Sequence, residues 1–112
     1  SKQDFIARNF TEREIAYCRA AADPAASFAG RWAAKEALVK ALSSLAPEQR
    51  PLWSGGHAPL VDIEIVPNPS GAPVVQLHGH PQQVSEMLAV NTLSVSISHT
   101  ADVAVANAVV RK

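Results

Sequence analysis

Hydrophobic and polar positions follow a helical pattern in the first part of the chain. Residues 11–14 match a capping box, so a helix is predicted from there to about Ala21. Proline cannot continue a helical ladder, and this helix is therefore expected to stop before Asp23-Pro24. Residues 28–42 are rich in alanine and contain no proline, which favours a long second helix with Ser27 as its cap.

An alternating pattern typical of strands begins near the middle of the chain. In residues 61–65, valine and isoleucine alternate with Asp62 and Glu64, as in a strand with one solvated face. A turn is predicted at residues 67–71 and a second strand at residues 73–77. Together these segments predict a hairpin.

Further elements are predicted on either side of this hairpin. Prolines, glycines and serines between residues 43 and 59 predict a long loop with marginal helix content. A helix is expected from about residue 81 to 89, with Val84, Met87 and Leu88 on its buried face. Residues 93–98 and 103–110 have the patterns of two strands, which predict a second hairpin.

The order of these elements predicts an α+β fold, in which an antiparallel sheet packs against a long central helix. The length of 112 residues suits one domain over residues 1–112. The 10 basic and 10 acidic residues cancel, so no overall field would attract nucleic acid or a membrane surface. We therefore expect that any anionic ligand is held by local charge.

Cysteine usage and hydropathy bear on the compartment of the protein. The single cysteine, Cys18, cannot form an internal disulfide, which favours a reducing compartment and a role as a small core residue. No apolar run approaches the roughly 18 to 20 residues that a membrane span requires. A cytoplasmic protein is therefore expected.

Charged residues on the long helix are the first candidates for chemistry. Helical geometry places Glu36 and Lys40 on one face, beside small alanines. An ordinary ion pair between them, worth about 0.2 to 0.5 kcal/mol, is one explanation. Arg31 and Lys35 lie toward the apolar side, where a cation is rarely left without an anionic partner. Geometry alone leaves both the structural and the functional explanation open.

A second candidate site lies at the end of a predicted strand, in residues 94–100. Serine hydroxyls alternate there with apolar residues, and the segment ends in His99 and Thr100, side chains that suit phosphate or ribose. A polar turn that closes a hairpin is the alternative. His78 and His80 have the spacing of metal ligands, but no further cysteine or histidine is near in sequence, which disfavours zinc. No glycine-rich phosphate loop is present in the sequence.

The two candidate segments together resemble the holo-acyl-carrier-protein synthases of the 4′-phosphopantetheinyl transferase superfamily. Residues 5–15 are similar to the first helical region of that family. Residues 29–41 are similar to its signature R-[FW]-A-A-K-E-A-x-x-K-A, and residues 95–100 to its segment V-S-[IL]-[ST]-H-[TE]. The resemblance covers nearly the whole chain. It extends to actinobacterial free-standing enzymes, the preferred relatives, and to the transferase domains of type I fatty acid synthases.

The resemblance implies an enzyme that transfers 4′-phosphopantetheine from coenzyme A to a serine of apo acyl carrier protein, releasing adenosine 3′,5′-bisphosphate. It implies that Glu36 is a ligand of Mg²⁺ and that Lys40 neutralises phosphate charge during the reaction. Arg31 would bind phosphate. Lys35 would contact phosphate or the carrier protein. His99, together with Ser98 or Thr100, would bind the 3′-phosphate.

The resemblance also implies partners and one departure from the family. Family members of this length are usually homotrimers. The cations Arg8, Arg13 and Arg19 are candidates to contact the acidic carrier protein. The alternative is that they form a solvated helix face. Relatives begin with a short strand carrying G-x-D, whose aspartate binds magnesium, and Asp4 does not match it. This departure keeps a second hypothesis open, a non-catalytic assembly or carrier-binding module of the same fold.

Overall fold

The computed structural model describes residues 1–46, 52–100 and 102–112. Three helices precede the first hairpin, and a fourth lies between the two hairpins. The elements in chain order are α1 (Lys2–Asn9), α2 (Glu12–Ala20), α3 (Pro24–Ser44), β1 (Ile63–Pro67), β2 (Pro73–Leu77), α4 (Gly79–Met87), β3 (Thr92–His99) and β4 (Ala104–Arg111). Short 3₁₀ turns at Ser54–Gly56 and Leu60–Asp62 lie in the segment predicted as a loop, part of which falls outside the described residues. The α+β prediction is confirmed.

Local capping explains where the first helices begin. Thr11 caps α2 as predicted, because its Oγ1 accepts a hydrogen bond from the Glu14 amide at 3.2 Å and the Glu14 carboxylate accepts one from the Thr11 amide at 3.0 Å. The predicted cap of α3 is wrong, since Asp23 rather than Ser27 accepts the hydrogen bond of a free amide. Pro24 starts α3, because its fixed φ suits the first turn of a helix.

Helix α1 was not predicted from the hydrophobic pattern. It has its own capping box, formed by Ser1 and Asp4, but none of its residues is buried. It is attached through Phe5, whose ring centroid lies 5.0 Å from that of Trp32 on α3. A short helix with no buried residue leaves little apolar periodicity in the sequence, so its local signal is the capping box of Ser1 and Asp4.

Both hairpins form as predicted. Strands β1 and β2 pair antiparallel with Ile65 opposite Val75, and β3 and β4 pair with Val95 opposite Ala108. Strand β1 begins at Ile63 rather than at residue 61, because the preceding residues form a 3₁₀ turn. The inner face of α4 is predicted correctly except for Met87, which is 64% exposed.

The core lies between α3 and the inner faces of the hairpins. Ala34 and Leu38 of α3 pack with Ile63 and Ile65 of β1 in the centre. Half-buried residues of the second hairpin complete this layer: Leu93, Val95, Ile97, Ala106, Ala108 and Val110. Cys18 is fully buried, as expected for a core residue. Within the described ranges, no helix has the length and apolar character needed to cross a membrane.

A buried ion pair connects the helices to the first hairpin. Lys35 is 0% exposed, and its Nζ donates to Glu14 Oε1 at 2.7 Å, to the Asn9 carbonyl at 2.7 Å and to the Leu60 carbonyl at 2.8 Å. The other oxygen of Glu14 accepts a hydrogen bond from the Ile65 amide at 3.0 Å. Burial lowers the pKa of Lys35 from its usual value, while the Glu14 carboxylate opposes that shift. The pair thereby links α1, α2, α3 and β1.

We predict that Lys35→Met lowers the free energy of unfolding by about 3 to 5 kcal/mol, because it leaves the Glu14 carboxylate buried without its cation. Urea denaturation measures the change. Lys40→Met is the matched control, since Lys40 is exposed on the same helix and its replacement is expected to change stability by less than about 0.5 kcal/mol. Equal stabilities of the two variants would contradict the structural role of Lys35.

Glu64 is buried, although the alternating pattern predicted a solvated position. Its carboxylate accepts hydrogen bonds from Thr11 Oγ1 at 2.6 Å and from Arg13 Nη2 at 2.6 Å, and His78 Nε2 lies 3.0 Å away. The hydrogen bond from Arg13 is the main cause that lowers the pKa of Glu64 from 4.5 to about 2. Arg13 is therefore engaged within the chain, and this weakens its candidacy for contact with a carrier protein.

His78 and His80, the histidines with metal-ligand spacing, contact different parts of the chain. His78 faces Glu64, whereas His80 Nε2 lies 2.9 Å from the Leu52 carbonyl oxygen. In the described part of the chain, no group of three or more His, Cys, Asp or Glu side chains is arranged to hold a metal ion. His78 and His80 therefore have separate partners in the fold.

The lowered pKa of Glu64 predicts a pH dependence of stability. A carboxyl group with a lowered pKa in the folded state contributes stability above its unfolded pKa, and this is lost as the pH falls toward the folded value of about 2. We expect the stability difference between wild type and Glu64→Gln, at most about 3 kcal/mol at neutral pH, to shrink between pH 4.5 and about 2. Urea denaturation across this range checks it, and a constant difference would contradict it.

Candidate functional site

A cavity of about 380 Å³, here called the Arg31 pocket, lies where four parts of the chain meet. The end of α2, the first half of α3, the turn between β1 and β2, and the end of β3 form its walls. Its lining residues are Tyr17, Ala21, Ala22, Asp23, Ser27, Arg31, Gly71, Pro73, Ile97 and His99. Two residues that the sequence predicted as phosphate ligands, Arg31 and His99, therefore share one cavity.

Arg31 is a buried cation without an anion. Arg31 is 7% exposed, and no described residue forms a hydrogen bond with its Nε. Among the residues that the structure describes, no carboxylate lies within the 4.0 Å of an ion pair with it. The guanidinium carbon instead lies 4.1 Å from the centroid of the Tyr17 ring. Because an unpaired buried charge is unfavourable, this arrangement is typical of a site that receives an anion.

Gly30 explains how His99 comes close to Arg31. A β-carbon at Gly30 would lie 2.7 Å from Ile97 Cγ2 and 3.9 Å from His99 Cδ2. Only glycine therefore lets the end of β3 approach α3 this closely without displacement of a side chain. Gly30 therefore allows His99 to reach the Arg31 pocket.

A second cavity, of about 230 Å³, lies on the other side of His99. It shares Asp23 and His99 with the Arg31 pocket and adds Thr100. The Thr100 hydroxyl oxygen accepts hydrogen bonds from the amides of Asp102 and Val103, which leaves its hydrogen available as a donor. Ser98 lines neither cavity, since it lies on the exposed, opposite face of β3.

Glu36 and Lys40 lie further along α3, on its outer side. Glu36 is half-buried and Lys40 is exposed. In the described ranges the two form no ion pair, and Glu36 takes part in no hydrogen bond through its side chain. An ion pair within the helix therefore does not explain the spacing of Glu36 and Lys40. Both side chains are available to a ligand outside the Arg31 pocket.

The position of Lys35 does not fit the predicted role in binding phosphate or a carrier protein. Its nitrogen is fully buried and donates to three acceptors within the chain. An ammonium group has three hydrogens, so none remains for a ligand. Lys35 has the anionic partner that the sequence led us to expect, and that partner is Glu14.

Sequence reasoning missed Tyr17, Asp23 and the hairpin turn with Gly71 as parts of the site. Asp23 carries a local signal, because an aspartate before proline is a helix cap and places its carboxylate at the start of α3. Tyr17 and Gly71 carry none, since each reaches the pocket only through packing between distant segments.

Chemically, the arrangement suits a ligand with several anionic groups. A guanidinium provides a planar set of donors for phosphate oxygens, and the imidazole of His99 is a second donor in the same cavity. Glu36 offers carboxylate oxygens, which suit a hard divalent cation, and Lys40 offers a positive charge one turn away. These groups suit phosphate chemistry, with Arg31 and His99 in the pocket and Glu36 and Lys40 on the outer side of α3.

Comparisons with known proteins agree with this chemistry. The sequence model described as "4'-phosphopantetheinyl transferase superfamily" matches residues 1–107. Fatty acid synthase subunit alpha of Schizosaccharomyces pombe is 46% identical over 110 residues, which are 98% of this chain and 6% of that protein. The same subunit of Saccharomyces cerevisiae is 46% identical over 108 residues, 96% of this chain and 5% of that protein. The chain thus spans a small part of these relatives.

Solved structures of free-standing synthases are similar in fold. The ACPS-CoA complex of Chronobacterium ammoniagenes matches with a TM-score of 0.82 and 30% identity, and covers 96% of this chain and 80% of that chain. Helicobacter pylori holo-[acyl-carrier-protein] synthase in complex with coenzyme A matches with a TM-score of 0.76 and 32% identity, and covers 98% and 84%. Both predicted kinds of relative, fused and free-standing, are found. The chain therefore belongs to the 4′-phosphopantetheinyl transferase superfamily.

Proposed function

We propose that this chain transfers the 4′-phosphopantetheine group of coenzyme A to a serine of an apo acyl carrier protein. The single observation that carries the proposal is the buried, unpaired guanidinium of Arg31 in one cavity with His99. Family membership and the coenzyme A complexes of two structural neighbours support it. Coenzyme A contains a pyrophosphate and a 3′-phosphate, and these are the anions that the site would bind.

In the proposed reaction, the serine oxygen of the carrier protein attacks the phosphorus that bears the pantetheine arm. A new bond forms between that oxygen and phosphorus, and the pyrophosphate bond breaks, so that adenosine 3′,5′-bisphosphate leaves with the bridging oxygen. The serine proton passes to Glu36 or to water. Arg31 and His99, with Thr100, bind phosphate oxygens, and Lys40 stabilises the negative charge of the leaving group.

Magnesium belongs to this proposal as a cation held by Glu36. The fit rests on the half-buried carboxylate of Glu36, which provides oxygen donors, whereas the described residues contain no group of three metal-ligating side chains. Mg²⁺ is commonly bound through one or two carboxylates, with substrate phosphates and water as its other ligands. When bound, the ion would neutralise charge on the pyrophosphate.

The proposed carrier protein would dock beside α1. A groove of about 640 Å³ between α1, α2 and α3 is lined by Phe5, Phe28 and Trp32, with Lys2 and Arg19 among its polar residues. Apolar side chains beside cations suit an acidic partner with exposed apolar residues. Arg8 is exposed on α1 and would add to the attraction.

A homotrimer in the cytoplasm is a further part of the proposal. The outer face of the second hairpin exposes Val105 and Val109, 54% and 51% respectively, and contact with another copy would cover them. Sedimentation equilibrium tests this, and a monomer would contradict it. That residues 1–112 form a single domain stays a prediction.

A second candidate function is a non-catalytic carrier-binding module of the same fold. The observation that favours it is the apolar groove beside α1, flanked by Lys2 and Arg19, which would bind a carrier protein without any metal site. Such a module would bind carrier protein in the absence of coenzyme A and would transfer nothing.

The transfer itself is tested with apo acyl carrier protein, coenzyme A and magnesium, by the gain in carrier mass. We expect the mass of one phosphopantetheine to be gained. Glu36→Gln is expected to lower the rate about 100-fold or more, because it removes the carboxylate that would hold the cation. Glu12→Gln, the same change at an exposed position of α2, is the control. Carrier binding without mass gain in the wild type would favour the second candidate.

Arg31 provides a prediction that separates stability from binding. Since its charge is buried without an anion, Arg31→Met is expected to leave the free energy of unfolding unchanged or to raise it by up to about 2 kcal/mol. The same change is expected to weaken coenzyme A binding about tenfold or more in calorimetry. Arg111→Met, at an exposed position of β4, is the control for both measurements. Loss of stability together with unchanged binding would show that Arg31 is structural.

A further inference from the structure

Tyr17 contacts Arg31, a buried candidate ligand of phosphate that has no anionic partner among the described residues. The guanidinium carbon of Arg31 lies 4.1 Å from the centroid of its ring, and both residues line the Arg31 pocket. Tyr17 is 41% exposed, so its ring is not simply a core residue. Among the described residues, its hydroxyl takes part in no hydrogen bond, which leaves the ring as the interacting part of the side chain.

Contact with the face of an aromatic ring orients a guanidinium in a particular way. The attraction acts between the cation and the electrons of the ring face, while the N–H donors lie at the edge of the guanidinium plane. Arg31 Nε is shielded from solvent and has no partner among the described residues, whereas the terminal nitrogens of the guanidinium are not buried in this way and are the donors that a ligand can reach. A ring beneath the guanidinium therefore restricts its rotation and keeps its donors available to a ligand in the pocket.

We infer that Tyr17 is a positioning residue, which holds the Arg31 guanidinium in the orientation that binds a phosphate group of coenzyme A. This inference rests on the proposed function, since it needs coenzyme A as the ligand. Tyr17 acts through Arg31 and not on the ligand directly. Its effect should therefore disappear when Arg31 is replaced.

A double-mutant cycle measured by calorimetry with coenzyme A tests this role. Tyr17→Leu is expected to weaken binding about two- to tenfold, the range for a lost cation–π contact. Tyr17→Phe keeps the ring and is expected to stay within about twofold of the wild type. Combined with Arg31→Met, Tyr17→Leu is expected to cause no further loss.

Two further variants control for folding and specificity. Tyr17→Gln, a second non-aromatic change, is expected to match Tyr17→Leu and replaces it if that variant does not fold, as judged by circular dichroism. Met87→Ala, at an exposed position of α4, is expected to bind coenzyme A like the wild type.

The outcomes separate this inference from the function on which it rests. A wild-type chain that does not bind coenzyme A would contradict the proposed function. If the wild type binds, unchanged affinity in Tyr17→Leu and Tyr17→Gln would overturn the role of Tyr17 alone. An equal loss with and without Arg31 would also overturn it, since Tyr17 would then contact the ligand itself.

Discussion

The buried ion pair between Lys35 and Glu14 sets the arrangement of the whole molecule. An uncompensated charge in a protein interior is strongly unfavourable, so α2 and α3 are stable only when these two groups meet. The remaining donors of Lys35 reach α1 and the segment before β1, and Glu14 also holds β1. One pair therefore joins elements that are distant in sequence.

This pair also fixes the rotation of α3 about its axis. Once Lys35 points into the core, the helical repeat places Arg31, one turn earlier, at the edge of the core, and Glu36 on the outer side. The candidate phosphate ligand and the candidate magnesium ligand are thus held on one rigid element.

Two cations on α3 differ in what surrounds them, and this difference assigns their roles. Lys35 has three acceptors and an anionic partner, which satisfy it within the chain. Arg31 has an aromatic ring beneath it and an unpaired Nε. A satisfied buried charge serves the fold, whereas an unsatisfied one beside a cavity is a stability cost that a ligand can offset. The sequence motif alone treats both cations as equivalent.

The sequence by itself determined the order of α2, α3, α4 and the two hairpins, the capping box at Thr11 and the family, because these depend on periodicity, caps and motifs that are local in the chain. It indicated Arg31 and His99 as ligands but could not separate them from Lys35. The tertiary structure decided that Lys35 and Glu64 are buried, because their partners come from distant segments. It alone brought Tyr17 to Arg31, since contact between an exposed residue of α2 and a buried cation of α3 has no periodic signal in the sequence.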